Sequence, residues 1–166
     1  MDKPKVYLES SVVSYRVARP SHDVIVAGHQ KVTHVWWDNH LTEYEVCVSE
    51  FVLEEIQRGD ADASSERVKI ASGFAILPAS AEVAPLAAEY MRELQLPNKA
   101  LYDTLHIAIA SVHGVEYLLT WNCRHIANAH LRRRISEINM RMGIFTPIIC
   151  TPEELLDEDD IPEPDL

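Results

Sequence analysis

The sequence predicts an α/β domain, a parallel sheet lying between layers of helices. Three observations carry this. Short apolar runs such as Lys5 to Leu8, Glu45 to Val48 and Leu118-Leu119 alternate with longer segments of helical pattern. The run around Leu118, Leu119 and Trp121 is apolar without clean alternation, as a strand covered on both faces requires. With 166 residues, 47% of them hydrophobic and 25% charged, the chain suits one domain with an ordinary core.

In chain order, Lys5 to Leu8 reads as a strand, ended by Glu9, with Ser10-Ser11 as caps for a short turn at Val12-Val13. Ser21 is the expected N-cap of a helix to about Asn39, whose apolar face holds Ile25, Val32, Val35 and Trp36, and Asp23 is read as a first-turn acid. Glu45 to Val48 is the second strand, and Ser49 caps a helix that Gly59 stops. Asp60 caps the next helix, which ends at Gly73, and Ala75 to Leu77 is a third strand closed by Pro78. Ser80 to about Leu94 is helical, with Pro85 marking either a kink or the true first turn. Pro97-Asn98 starts a helix carrying Asp103 and His106 on one face, stopped at Gly114. After the fourth strand and the loop at Asn122, Ile126 to Met142 is helical, and Pro147 to Cys150 is the last strand. Thr151-Pro152-Glu153-Glu154 is a capping box with proline at N1, so a short helix follows. The expected division is a domain over residues 1–156 and a disordered acidic tail over 157–166.

The net charge of −11 says little about the body of the protein. Eight acids and no base lie between Glu153 and Leu166, which leaves −3 for the rest. That balance argues against broad non-specific nucleic-acid binding. Arg132-Arg133-Arg134 is the local exception and reads as a solvated helix face more readily than as a phosphate grip. Cys47, Cys123 and Cys150 are odd in number and lack zinc-site spacing, so neither a disulfide framework nor a zinc site is expected. The opening Met1-Asp2-Lys3-Pro4-Lys5 does not resemble a signal peptide, and no apolar run approaches the roughly 20 residues that span a bilayer. A cytoplasmic protein without membrane contact is the expectation.

In a parallel sheet the carboxyl ends of the strands share one edge, where ligands bind in open α/β folds. Glu9 ends the first strand and Asn122 the fourth, and Glu55 and Asp103 sit on helices able to overhang the same edge. Three carboxylates and an amide brought together repel unless a cation neutralises them. Oxygen ligands select Mg²⁺ or Mn²⁺ over zinc, and such a cation activates water and steadies a phosphoryl oxygen. The chemistry suggested is phosphodiester hydrolysis. Each residue also has a plainer reading. Asp103 suits a helix dipole, Asn122 suits a turn, and either Glu54 or Glu55 belongs to a solvated face. A thiol nucleophile at Cys123 beside His125 has only sequence adjacency behind it. A nucleotide-binding Rossmann fold lacks its glycine-rich turn, since Glu9-Ser10-Ser11 stands there.

The segments Val6 to Val13, Ser49 to Gly59, Asp103 to Ala108 and Leu119 to Asn122 resemble PIN domains, specifically the VapC-like toxins of bacterial toxin–antitoxin pairs. The resemblance covers Val6 to about Leu155. It implies a three-layer α/β/α fold, RNA cleavage dependent on Mg²⁺ or Mn²⁺, a homodimer and an inhibiting antitoxin. It places the acidic positions on Glu9, where aspartate is usual, on Glu55 with Glu54 as the register alternative, on Asp103, and on Asn122, where an acid is usual. Glu9, Asp103 and Asn122 are the implied metal ligands, Asn122 through its carbonyl oxygen or as a water-positioner. Ser10, His106, Arg124 and His125 are the candidates to touch RNA. The two departures, Glu9 and Asn122, keep open a rival in which a PIN-like domain binds RNA or protein without cutting.

Overall fold

The computed structural model describes residues 2–164. Five strands form one sheet in which every pairing is parallel: β1 Lys5–Leu8, β2 Glu45–Ser49, β3 Ala75–Leu77, β4 Tyr117–Leu119 and β5 Ile148–Cys150. Seven α-helices flank it among the described residues: α1 Ser10–Val17, α2 Val24–His40, α3 Glu50–Ile56, α4 Ala61–Ala71, α5 Val83–Glu93, α6 Leu101–Val112 and α7 Ala129–Met142. The order across the sheet is β3-β2-β1-β4-β5. The chain therefore builds outward one way from β1 to β3, then returns to the other side of β1 for β4 and β5. The reversal falls between β1 and β4, and the crevice that such a switch point opens lies beyond the carboxyl ends of these two strands.

The apolar strands are apolar because both faces are covered. Val6, Tyr7 and Leu8 are buried, as are Leu118 and Leu119. Each fully buried leucine or isoleucine contributes roughly 1.5–3 kcal/mol from removing its surface from water. Helix α6 is the most enclosed helix, burying Thr104 and the run from His106 to Ser111. That enclosure fixes the helix carrying Asp103 against the sheet edge.

Local chemistry sets the element ends. Asp23, not Ser21, caps α2: its Oδ1 accepts from the Ile25 and Val26 N–H groups at 2.9 and 3.0 Å. Ser21 instead braces Asp23, accepting from its N–H at 3.1 Å. Glu9, not the serines, caps α1. Helix α7 begins at Ala129 because Asn128 caps it, while the Ile126 and Ala127 N–H groups turn back onto the Asn122 carbonyl. Pro85 lies in the first turn of α5, where a missing N–H costs nothing. The capping box at Thr151 is present, but Pro152–Leu155 forms a 3-10 turn rather than an α-helix.

Both outer strands differ from open edges in one respect each. At β5, Arg132 donates to the outward carbonyl of Ile149 at 2.9 Å and blocks a further strand from pairing there. At β3 only three residues are paired. The sequence expects no fixed structure from Asp157 onward, yet Glu158–Asp160 forms a 3-10 turn. Asp160 bonds to His40 at 2.5 Å and accepts from Asn39 at 3.1 Å. Helix α2 ends where β2 begins, so the tail runs toward the amino ends of the strands and not over the ligand edge. Residues 165 and 166 of that expected tail lie outside the described residues. Among the described residues no helix is long and apolar enough to cross a membrane.

Candidate active site

Glu9 leaves β1 at the switch point and is 4% exposed. Its Oε2 accepts three hydrogen bonds: from the Ser11 N–H at 3.0 Å, from the Ser11 hydroxyl, and from Thr120 Oγ1 at 2.9 Å. Ser11 also accepts from the Trp121 N–H at 2.8 Å, so α1 and the end of β4 are tied together through the carboxylate. No hydrogen bond among the described residues occupies Glu9 Oε1.

Glu55 enters from α3, and Glu54 does not. Glu54 is exposed and accepts from the Tyr102 hydroxyl at 2.5 Å, whereas Glu55 turns inward. Glu55 Oε1 accepts from Ser10 Oγ at 2.7 Å and bonds to His106 Nε2. Burial pushes this carboxyl up, but the His106 bond and charge, the Ser10 bond and Arg58 outweigh it and hold the carboxyl below its ordinary value. Oxygens of Glu9 and Glu55 and a ring nitrogen of His106 lie within 4.8 Å of one another.

Asp103 arrives in the first turn of α6. Its Oδ1 accepts from Asn122 Nδ2 at 2.9 Å. Burial, then the negative charges of Glu9 and Glu55, raise the Asp103 carboxyl to about 6 against the partial relief of His106 and Asn122. The Glu9 and Glu55 carboxylates thus meet beside His106 at the switch point, and Asp103 stands near enough for their charges to raise it. Each is held by one oxygen, and each leaves the other oxygen without a hydrogen bond among the described residues.

Asn122 takes a different part from the one its carbonyl suggests. Its Oδ1 accepts from the His125 N–H at 3.0 Å, which fixes the amide and turns Nδ2 to Asp103. The Asn122 Nδ2 therefore clamps Asp103, while its Oδ1 faces the His125 N–H. His106 also departs from expectation. It is fully buried, with Nδ1 bonded to the Tyr7 hydroxyl at 2.6 Å and Nε2 to Glu55, so it does not reach RNA. Ser10 is 8% exposed and spends its hydroxyl on Glu55. Arg124 and His125 stand in the edge loop, Arg124 exposed and with no ion pair among the described residues. Burial, Arg124 and Lys99 together push the His125 imidazole below its ordinary value.

Other sequence features are accounted for within the chain. Arg133 pairs with Glu137 at 3.0 Å, Arg134 donates to the Glu93 carbonyl at 2.6 Å, and Arg141 pairs with Glu93. Together with Arg132 at the β5 edge, they are engaged internally. Burial pushes the Cys47 and Cys150 thiols up to about 12. Burial raises Cys123 as well, opposite to what a thiolate nucleophile needs. Trp36 is buried in the core, and Trp37 packs on Phe74 and carries Arg16 over its ring.

Sequence reasoning missed Tyr7, Ser11 and Thr120. A serine two residues past Glu9 and a threonine two before Asn122 were visible, but their convergence on one oxygen depends on β1 lying beside β4.

An all-parallel sheet with carboxylates gathered at its switch point defines an acid-lined α/β ligand site. The PIN domain family model matches residues 7–131, and the chain belongs to that family. Among curated proteins none matches. Among solved structures the chain is similar to VapBC2 from Rickettsia felis, whose structure is bound to a DNA fragment from its promoter, with a TM-score of 0.57 at 16% identity. That match covers 89% of this chain and 98% of the other. It is also similar to the Mycobacterium tuberculosis toxin VapC20, which cleaves the sarcin–ricin loop, with a TM-score of 0.47 at 14% identity over 68% of this chain and 86% of that one.

Proposed function

We propose that the chain is a ribonuclease dependent on Mg²⁺ or Mn²⁺, of the VapC type, hydrolysing RNA phosphodiesters. The observation that carries the reading is the pairing of Glu9 and Glu55 at the sheet edge with Asp103 facing them, each with one oxygen hydrogen-bonded and one oxygen spare. The donor set fits a hard divalent cation: three carboxylates, no thiolate, and too little positive charge nearby to keep Asp103 at its ordinary value. Glu9, Glu55 and Asp103 would hold the ion, and the ion would activate water and stabilise the charge on the phosphoryl oxygen.

The remaining work belongs to the chain. Ser11 and Thr120 fix Glu9, Ser10 and His106 fix Glu55, and Asn122 fixes Asp103. Arg124 and His125, beside these groups on the open edge, would meet RNA phosphates. A homodimer and a cytoplasmic setting accompany this reading as part of it, and an antitoxin partner is supported by the fold it shares with VapBC2.

The test is RNA cleavage with added Mn²⁺. Asp103→Ala is expected to abolish it without unfolding the domain, and full activity in the variant would overturn the assignment. The second reading, a PIN domain that binds without cutting, is favoured by one observation, the neutral Asn122 where the family places an acid. Absence of Mn²⁺ binding at millimolar concentration, together with intact RNA, would select it.

A further inference from the structure

The charged edge rests on a buried polar chain that runs under it. Ser49, at the end of β2, is fully buried and accepts from the Val52 N–H at 3.4 Å. Its hydroxyl lies 2.7 Å from the hydroxyl of Tyr7, on β1 and also fully buried. The Tyr7 oxygen lies 2.6 Å from His106 Nδ1, and His106 Nε2 meets Glu55 Oε1. Four elements, β2, β1, α6 and α3, contribute one group each.

With a neutral His106 ring the hydrogens in this chain run in one direction. An ionised carboxylate only accepts, so His106 Nε2 carries a hydrogen. In the neutral ring Nδ1 then holds the lone pair, and the Tyr7 O–H must donate to it. The Tyr7 oxygen accepts from the Ser49 O–H, whose own oxygen takes the Val52 N–H. Every donor finds an acceptor. The opposite tautomer would set a bare Nε2 against a carboxylate oxygen and leave Tyr7 to donate back toward Ser49.

We infer that Tyr7 and His106 are positioning residues for the proposed metal-dependent reaction, locking Glu55 Oε1 so that its second oxygen is presented to a divalent cation. The inference rests on the reading of the edge as a metal centre. It also assigns His106 a place behind the metal site rather than in it: Nε2 gives its hydrogen to Glu55 Oε1, although it lies within 4.8 Å of Glu9 and Glu55 oxygens. Buried partners of this kind orient metal ligands, and removing one typically costs about 10–100-fold in metal affinity or activity.

The test uses the whole protein and the Tyr7→Phe variant, which keeps the ring and removes only the hydroxyl. Mn²⁺ affinity is measured by titration, kcat and KM on RNA are measured separately, and the His106 tautomer is read by long-range ¹H–¹⁵N NMR in the metal-free protein. The wild type is expected to show the Nε2–H tautomer. The Tyr7→Phe variant is expected to lose Mn²⁺ affinity and kcat by about tenfold or more with KM unchanged. His106→Gln, which offers an amide N–H to Glu55, is expected to recover most of the affinity that His106→Ala loses. A merely structural role would lower the melting temperature of Tyr7→Phe and leave Mn²⁺ affinity untouched, and that result overturns the inference, as does an Nδ1–H tautomer. A wild type that binds no Mn²⁺ overturns the functional reading and this inference together; a wild type that binds, with Tyr7→Phe binding equally well, overturns the inference alone.

Discussion

Glu9 and Glu55 meet His106 at the carboxyl edge of the sheet, with Asp103 close enough to feel their charges, and Glu43, Asp157 and Asp160 surround His40 at the far end of α2. Each is a group of acids around one buried histidine. In the second group the Asp160 bond, resisted by burial and helped by Glu43, holds the His40 imidazole above its ordinary value. The same bond holds Asp160 below its own. The two exposed acids there, Glu43 and Asp157, keep their contact with water. At the sheet edge the histidine serves one carboxylate, and Asp103 is left at about 6. In both groups the acid bonded to the histidine is lowered, Asp160 at the tail and Glu55 at the edge; Asp103, which has no such bond, is raised. The buried carboxylate left without a cationic partner, Asp103, is what distinguishes the edge from the tail fastening.

The largest effect that can break this contrast is on catalysis. Asp103→Ala is expected to reduce Mn²⁺-dependent RNA cleavage by about a hundredfold or more, since metal-assisted steps are worth several kcal/mol. Fluorescent RNA cleavage checks it.

Next is a pH effect on the metal-free protein. Asp103 has a folded value of about 6, above its ordinary 3.8, so the folded state binds this proton more tightly than the unfolded state. Its contribution favours folding fully below about 3.8 and is lost as pH rises through about 6. Asp103→Asn removes the titration. The variant is therefore expected to gain on the wild type between pH 4 and pH 7, by on the order of 1 kcal/mol once the partial exposure of Asp103 to solvent is allowed for. Paired denaturant titrations read the gap, and added Mn²⁺ should close it in the wild type only.

Asn122→Asp sharpens the same point from the other side. It replaces the Nδ2 donor that clamps Asp103 with a fourth negative charge. The metal-free protein is expected to lose roughly 1–3 kcal/mol, while Mn²⁺ binds more tightly. Thermal melts with and without Mn²⁺ report both signs.

The smallest effect is expected at the tail. His40 is raised, so its contribution is complete below its ordinary 6.5 and is lost as pH rises through the folded value. Asp160→Asn should cost more stability at pH 6 than at pH 9, measured by melting temperature.

The sheet was legible because its signals are local. The bounds of β1 and β3 follow from short apolar runs closed by Glu9 and Pro78, and the caps at Ser49, Asp60 and Gly143 act within a few residues. The four acid and amide positions are legible as edge residues because a parallel sheet puts its strands' carboxyl ends along one edge. Their roles are not. Whether His106 faces RNA or the core depends on Tyr7, 99 residues away in the chain. Whether Asn122 offers oxygen or nitrogen depends on the His125 N–H. The choice of Glu55 over Glu54 depends on Tyr102 drawing Glu54 outward. The tail was read as disordered from composition, which does not see the buried His40 that meets Asp160 at 2.5 Å.

The most direct test of the central claim is anomalous diffraction from crystals grown with Mn²⁺. An Mn²⁺ peak contacted by oxygens of Glu9, Glu55 and Asp103 is expected, with none at His40, Asp157 and Asp160. A peak at the His40 group alone, or no peak at the sheet edge at millimolar Mn²⁺, would contradict it.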